Sequence, residues 1–236
     1  MPKPVGHLIN YQEGLYGERG LYYDYIVAAD GIFIEAENPL MAARIPINDC
    51  EIRGLAPIGA KLSLTYGSIP QRFFDLTLDL FLSDKETEQY VAITGKAGYD
   101  FYIPVQDKSA GSVVYEVGSA VVLEMHSHGH MGARFSGTDN EDETGLKLYG
   151  VVGKLNATPI VKLRIGVYGY FRELFWNEVF DGSLAGALEY EEKEVIDDHE
   201  LHGDIGGPHV YSENSRGRLW WNRWFRRRGS MPAPGE

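Results

Sequence analysis

The 236-residue chain has a single cysteine, Cys50, so no internal disulfide can form, and the thiol fits a reducing compartment. No apolar run approaches the ~20 residues that a membrane span requires. The opening MPKPVGHLINYQEG has no apolar core of the kind found in a signal peptide, which points to a cytoplasmic protein. Internal repeats and low-complexity tracts are also missing. Positive charge is scarce: the formal net charge is -12, so the chain as a whole has no general affinity for nucleic acid. A hydrophobic content of 44% and a charged content of 24% are ordinary for a globular protein, and the length allows a substantial core.

The scarce positive charge is concentrated. Arg216, Arg218, Arg223, Arg226, Arg227 and Arg228 lie together in the WWNRWFRRR neighbourhood, after a strongly acidic stretch that ends near Asp204. This basic aromatic tail could stack on nucleic-acid bases, lie on an anionic membrane surface, or pair with the acidic stretch before it.

Three regions follow from the patterning. Residues 1–68 form a β-rich N-terminal region, tyrosine-rich at its start. The runs IVAA, GIFIEAE, MAARIPI, EIRGLA and AKLSLTY are separated there by turn residues. Residues 69–175 form the main domain. Ile69, Phe73, Leu76 and Leu80 are spaced as one face of a helix. YVAITG and YDFYIPV read as a hairpin, and GSVVYEV and AVVLEMHSH as further strands. A polar helix is expected to begin near Ser136, with Asp139 in its first turn, and LYGVVGKL and IVKLRIGVYGYF complete the sheet. Residues 176–236 hold the acidic linker and the basic tail, and ELFWNEVF, just before and across that boundary, could cap the domain.

The most informative residues are His126, His128, Ser136 and Asp139. Two His one residue apart on a strand point to the same face, so both imidazoles can reach one ion. With Asp139 they give two nitrogens and a carboxylate oxygen. That set suits tetrahedral zinc and leaves a fourth position for water. Four such residues at fixed offsets arise by chance in roughly one chain of this length per thousand.

H126-S-H128-GHMGARF-S136-GT-D139 resembles the signature of the JAMM (JAB/MPN+) zinc metalloproteases, and residues 69 to 172 carry the likeness. The run SGTDNEDETGLKLYGVVGKL is most similar to JAB-domain proteins of PRTRC plasmid and integrative-element systems. The resemblance implies an α/β fold: a cytidine-deaminase-like mixed sheet flanked by helices. Glu88, in Glu88-Gln-Tyr-Val-Ala-Ile-Thr-Gly95, matches the family's upstream glutamate, although Val91 stands where a small Gly is usual. By the same likeness Glu88 is the general base for a zinc-activated water, Ser136 hydrogen-bonds the developing oxyanion, and Zn2+ is the cofactor. The substrates implied are a ubiquitin-like protein or its conjugates, with a ThiF-like activating enzyme as a companion. The alternative is a non-catalytic MPN-like binding or scaffold module in a plasmid or integrative-element system, with the tail as its contact for nucleic acid.

Several neighbours have two readings. Glu86 is the nearest rival to Glu88. His130 is a third ligand, a substrate contact or a solvated loop residue. Glu124 has the parity to support the ligands or to form a cross-strand salt bridge. Gly129, where relatives often have Pro, is expected to loosen the loop. His199, His202, Asp204 and His209 form either a second metal site or a polar surface. Cupin and amidohydrolase readings of the His-x-His pair fail, because the further ligands those families need are not at the required places.

Overall fold

A computed structural model of the chain describes residues 3–108, 113–115 and 120–190. The basic aromatic tail and the group His199, His202, Asp204 and His209 lie outside them.

The N-terminal region is a six-stranded mixed sheet built from β1 (Val5–Tyr11), β2 (Gly14–Glu18), β3 (Tyr23–Ala28), β4 (Gly31–Asn38), β5 (Met41–Asn48) and β6 (Lys61–Leu64). The strand order is β2-β1-β3-β4-β5-β6, with β1 and β3 parallel and the other pairs antiparallel. The tyrosine-rich opening therefore forms strands of its own. EIRGLA, expected as a strand, is a loop. Its backbone is held by Ile52 N to Ala29 O (3.0 Å) and Ala56 N to Asn10 O (2.9 Å), bonds too isolated to make a ladder.

Next come α1 (Arg72–Ser83), β7 (Tyr90–Gly95), β8 (Tyr99–Tyr102), β9 (Gln106–Lys108), β10 (Val113–Tyr115), β11 (Val121–Ser127), α2 (Gly137–Asp142), β12 (Leu146–Gly153), β13 (Ile160–Val167), β14 (Tyr170–Leu174), α3 (Trp176–Val179) and β15 (Leu188–Glu189). The second sheet runs β14-β13-β12-β11-β7-β8, and β15 also pairs with β13. β7 and β8 form the expected hairpin, while β9 and β10, among the described residues, pair only with each other. β11 and β12 are parallel, and the connection between them contains α2. A parallel pair needs a crossover of this kind, which carries α2 over one face of the sheet.

Cross-strand register sorts that sheet into two faces. Val91, Ile93, Leu123, Met125, Leu148, Val152, Leu163 and Ile165 belong to the main core, together with α1 and with Ile34, Met41 and Ile45 of the N-terminal sheet. Tyr90, His126, Val151 and Lys162 are register partners on the opposite face, as are Ala92, Glu124, Tyr149 and Arg164. One face thus carries the core and the other the polar chemistry. The described residues lie within one compact unit, and the two sheets share that core.

The helix expected after residue 69 is present, but it is turned from its expected orientation. Phe73, Phe74, Thr77, Leu78 and Phe81 are buried, whereas Leu76 is 49% exposed and Ile69 precedes the helix. The buried positions form a second apolar stripe of helical period, wider than the 69-73-76-80 face because Phe74 and Phe81 bring two large rings into it. Phe74 packs edge-on against Trp176, which stacks on Phe180 at 4.3 Å between centroids, so ELFWNEVF does cap this end of the core.

Candidate metal centre

β11 places His126 at its C-terminal end, on the polar face, and His128 immediately beyond it. The alternation that buries Met125 and Ser127 turns both imidazoles to the other side. Their Nε2 atoms are 3.0 Å apart. Asp139 comes from the first turn of α2, and its Oδ1 is 3.6 Å from His126 Nε2. The three potential ligand atoms all lie within 4.8 Å of one another. Ligands about 2.0–2.1 Å from zinc at tetrahedral angles stand about 3.4 Å apart. The His126–His128 and His126–Asp139 spacings bracket that value, so the three residues could hold such an ion.

The donors are also oriented correctly. His128 Nδ1 lies 3.3 Å from Gly132 O, which places the ring proton on Nδ1 and leaves the Nε2 lone pair for a metal. Burial lowers the pKa of His126 to about 4, against the pull of Asp139, so its imidazole stays neutral. Asp139 divides its carboxylate. Oδ2 accepts from Ser136 N at 2.5 Å, while Ser136 Oγ accepts from Asp139 N at 3.2 Å, a reciprocal capping box at the start of α2. Oδ1 remains for the histidines. Ser136 itself is exposed at the N-cap, and its hydroxyl hydrogen is not consumed by that bond.

Glu88 is brought to this group through β7. Gln89 and Ser127 are tied by two bonds beyond the regular ladder, backbone Ser127 N to Gln89 O at 2.9 Å and Gln89 N to the Ser127 hydroxyl Oγ at 3.0 Å. The Gln89 side chain donates to Leu80 O and Asp84 O at the end of α1. Glu88, one residue before this tie, is 8% exposed, and burial raises its carboxyl above the ordinary value. The neighbouring His128 opposes the rise and Asp139 adds to it, so Glu88 lies within electrostatic reach of both.

The rival residues separate clearly. The Glu86 side chain is 80% exposed and pairs with His130 Nε2 at 3.1 Å, and neither joins the metal-binding group. Glu124 accepts from Lys147 Nζ at 2.5 Å, which is the cross-strand salt bridge.

The loop after His128 is not loose. Gly129 has φ +52°, and a Cβ there would meet Lys85 O at 2.7 Å. Proline, fixed near -65°, cannot adopt that backbone. The turn is tied by His128 N to Val152 O, Lys154 N to Met131 O and Leu155 N to Gly129 O, at 2.7–2.8 Å. It also lies so close to Gly153 that a Cβ there would come within 2.4 Å of Met131 O.

Two supporting residues escape a reading of motifs. The Gln106 side chain bonds both Tyr90 N (2.8 Å) and Tyr90 O (3.1 Å), taking the place of a strand neighbour opposite His126. Arg164, buried in β13, reaches across to α2. The latter had one visible sign, an arginine inside the apolar strand IVKLRIGV.

Comparison with known families finds one match. Residues 82–166, from the end of α1 to β13, fit the model described as prokaryotic homologs of the JAB domain. Searches of curated proteins and of solved structures found no match. The matched segment contains Glu88, both histidines, Ser136 and Asp139, so over residues 82–166 the chain is similar to the prokaryotic JAB-domain homologs.

Proposed function

We propose that the chain is a zinc-dependent peptidase or isopeptidase acting on a ubiquitin-like protein or its conjugates. The observation that carries this reading is the convergence of His126 Nε2, His128 Nε2 and Asp139 Oδ1 beside the desolvated Glu88. Bound there, zinc supplies a Lewis acid and lowers the pKa of a coordinated water towards neutrality. Glu88 takes the proton of the attacking water and passes it to the departing nitrogen. Its raised carboxyl suits both halves of that transfer. Ser136 donates its hydroxyl hydrogen to the developing oxyanion, a contribution typical of ~10²–10³ in rate.

The remaining parts of the reading rest on family resemblance. They are a cytidine-deaminase-like arrangement of the second sheet, a cytoplasmic setting that also suits the unpaired Cys50, a ThiF-like enzyme among the partners, and kinship with PRTRC-system proteins. Among the described residues, no helix is long and apolar enough to cross a membrane. A site framed by strands admits a narrow extended peptide, which favours Gly-Gly on the acyl side.

The test is cleavage of a ubiquitin-like protein, encoded near this chain's own gene, fused through its terminal glycines to a reporter. Cleavage is expected to stop on chelation, return with zinc and ignore thiol alkylation. Tight binding of an uncleaved fusion by the zinc-loaded protein would replace the peptidase reading with a non-catalytic scaffold.

A further inference from the structure

The metal ligand Asp139 belongs to a six-residue helix, too short to hold its place by its own hydrogen bonds. What holds it is one guanidinium. Arg164 stands on β13, two strands away from β11, and is 6% exposed. Its Nε donates to Glu143 Oε2 at 2.8 Å, and a second nitrogen, Nη2, donates to the same oxygen. Its Nη1 donates to Asn140 Oδ1 at 2.7 Å. The guanidinium carbon lies 3.7 Å from the centre of the Phe135 ring and 4.0 Å from that of Phe171.

These contacts bracket the functional segment. Phe135 immediately precedes Ser136, Asn140 immediately follows Asp139, and Glu143 is the C-cap, whose backbone N–H donates to Asp139 O at 2.9 Å. Ser136 and Asp139 thus lie on a short arch held at both ends by a side chain of the rigid sheet that also carries His126. Only arginine can make this hold. Its planar fork reaches two acceptors while both faces stack, whereas lysine offers a compact charge with neither property.

We propose that Arg164 is a positioning residue for the metal centre: through Glu143, Asn140 and Phe135 it sets the place of the Asp139 carboxylate relative to the two histidines. The proposal rests on the zinc reading of the site. It differs from a purely structural role, because metal affinity should change apart from stability.

The experiment is zinc affinity by chelator competition, with thermal stability measured on the same metal-free proteins. Arg164→Met should weaken zinc binding by about 10–100-fold, the usual cost of losing a group that orients a metal ligand. Arg164→Lys should recover little of it. Arg164→Met/Glu143→Leu removes both buried charges and should restore stability, as apolar replacement of a buried pair often does, while zinc binding remains weak. Asn140→Ala, an exposed change, should cost about fivefold, the scale of one ordinary hydrogen bond. Wild-type zinc affinity in a stable double variant would overturn the proposal. If the Arg164 variants do not fold, wild-type affinity in Asn140→Ala overturns it instead. A native protein that binds no zinc defeats the metal reading itself, and this proposal with it.

Discussion

Glu88→Gln is expected to retain bound zinc and wild-type stability while turnover falls by ~10²–10⁴-fold, the range that a positioned general base supplies. The amide has nearly the same shape but cannot accept a proton from water in the way a carboxylate does. The pH profile gives a second signature. The base works only when ionised, so kcat/KM must rise with pH through the Glu88 titration. Because burial raises that carboxyl, the acid limb should lie above the range of an exposed carboxylate. Glu88→Gln should abolish the limb. Ser136→Ala should lose less rate and leave the limb in place. An active Glu88→Gln protein beside an inactive Glu86→Gln would move the base to the exposed residue that now pairs with His130.

The second large effect concerns the metal. His128→Ala removes one of three protein ligands, so zinc affinity should fall further than the ~10–100-fold loss typical of groups that merely orient a ligand. Elemental analysis of protein purified without added metal should find one zinc per native chain and much less in the variant. Full occupancy in His128→Ala would mean that the ion sits elsewhere. His130→Ala should keep its zinc, because His130 is engaged with Glu86 outside the ligand group.

The candidate metal centre was legible in the sequence because coordination chemistry demands particular side chains at particular offsets. The strand period put His126 and His128 on one face, and the helix expected near Ser136, with Asp139 in its first turn, is α2. Apolar packing was harder to read. Ile69, Phe73, Leu76 and Leu80 fit a helical period, but so do Phe73, Phe74, Thr77, Leu78 and Phe81, and only the shape of the opposing sheet decides which stripe is buried. EIRGLA alternates like a strand yet joins no sheet edge among the described residues.

The support for the ligands was the least visible. Arg164 meets Glu143 and Asn140 across 21 and 24 residues, and such pairs leave no local pattern. Gln106 likewise stands 16 residues from the backbone it completes at Tyr90. Motifs carry the atoms that would touch the metal, while the residues that hold those atoms in place depend on tertiary register.

The central claim, that His126, His128 and Asp139 hold a zinc on which peptide hydrolysis depends, is tested most directly by titrating metal-stripped protein with zinc while following cleavage of the Gly-Gly fusion. Turnover should rise in proportion to zinc and level off at one equivalent per chain. Cleavage indifferent to zinc, or absent with one equivalent firmly bound, would contradict it.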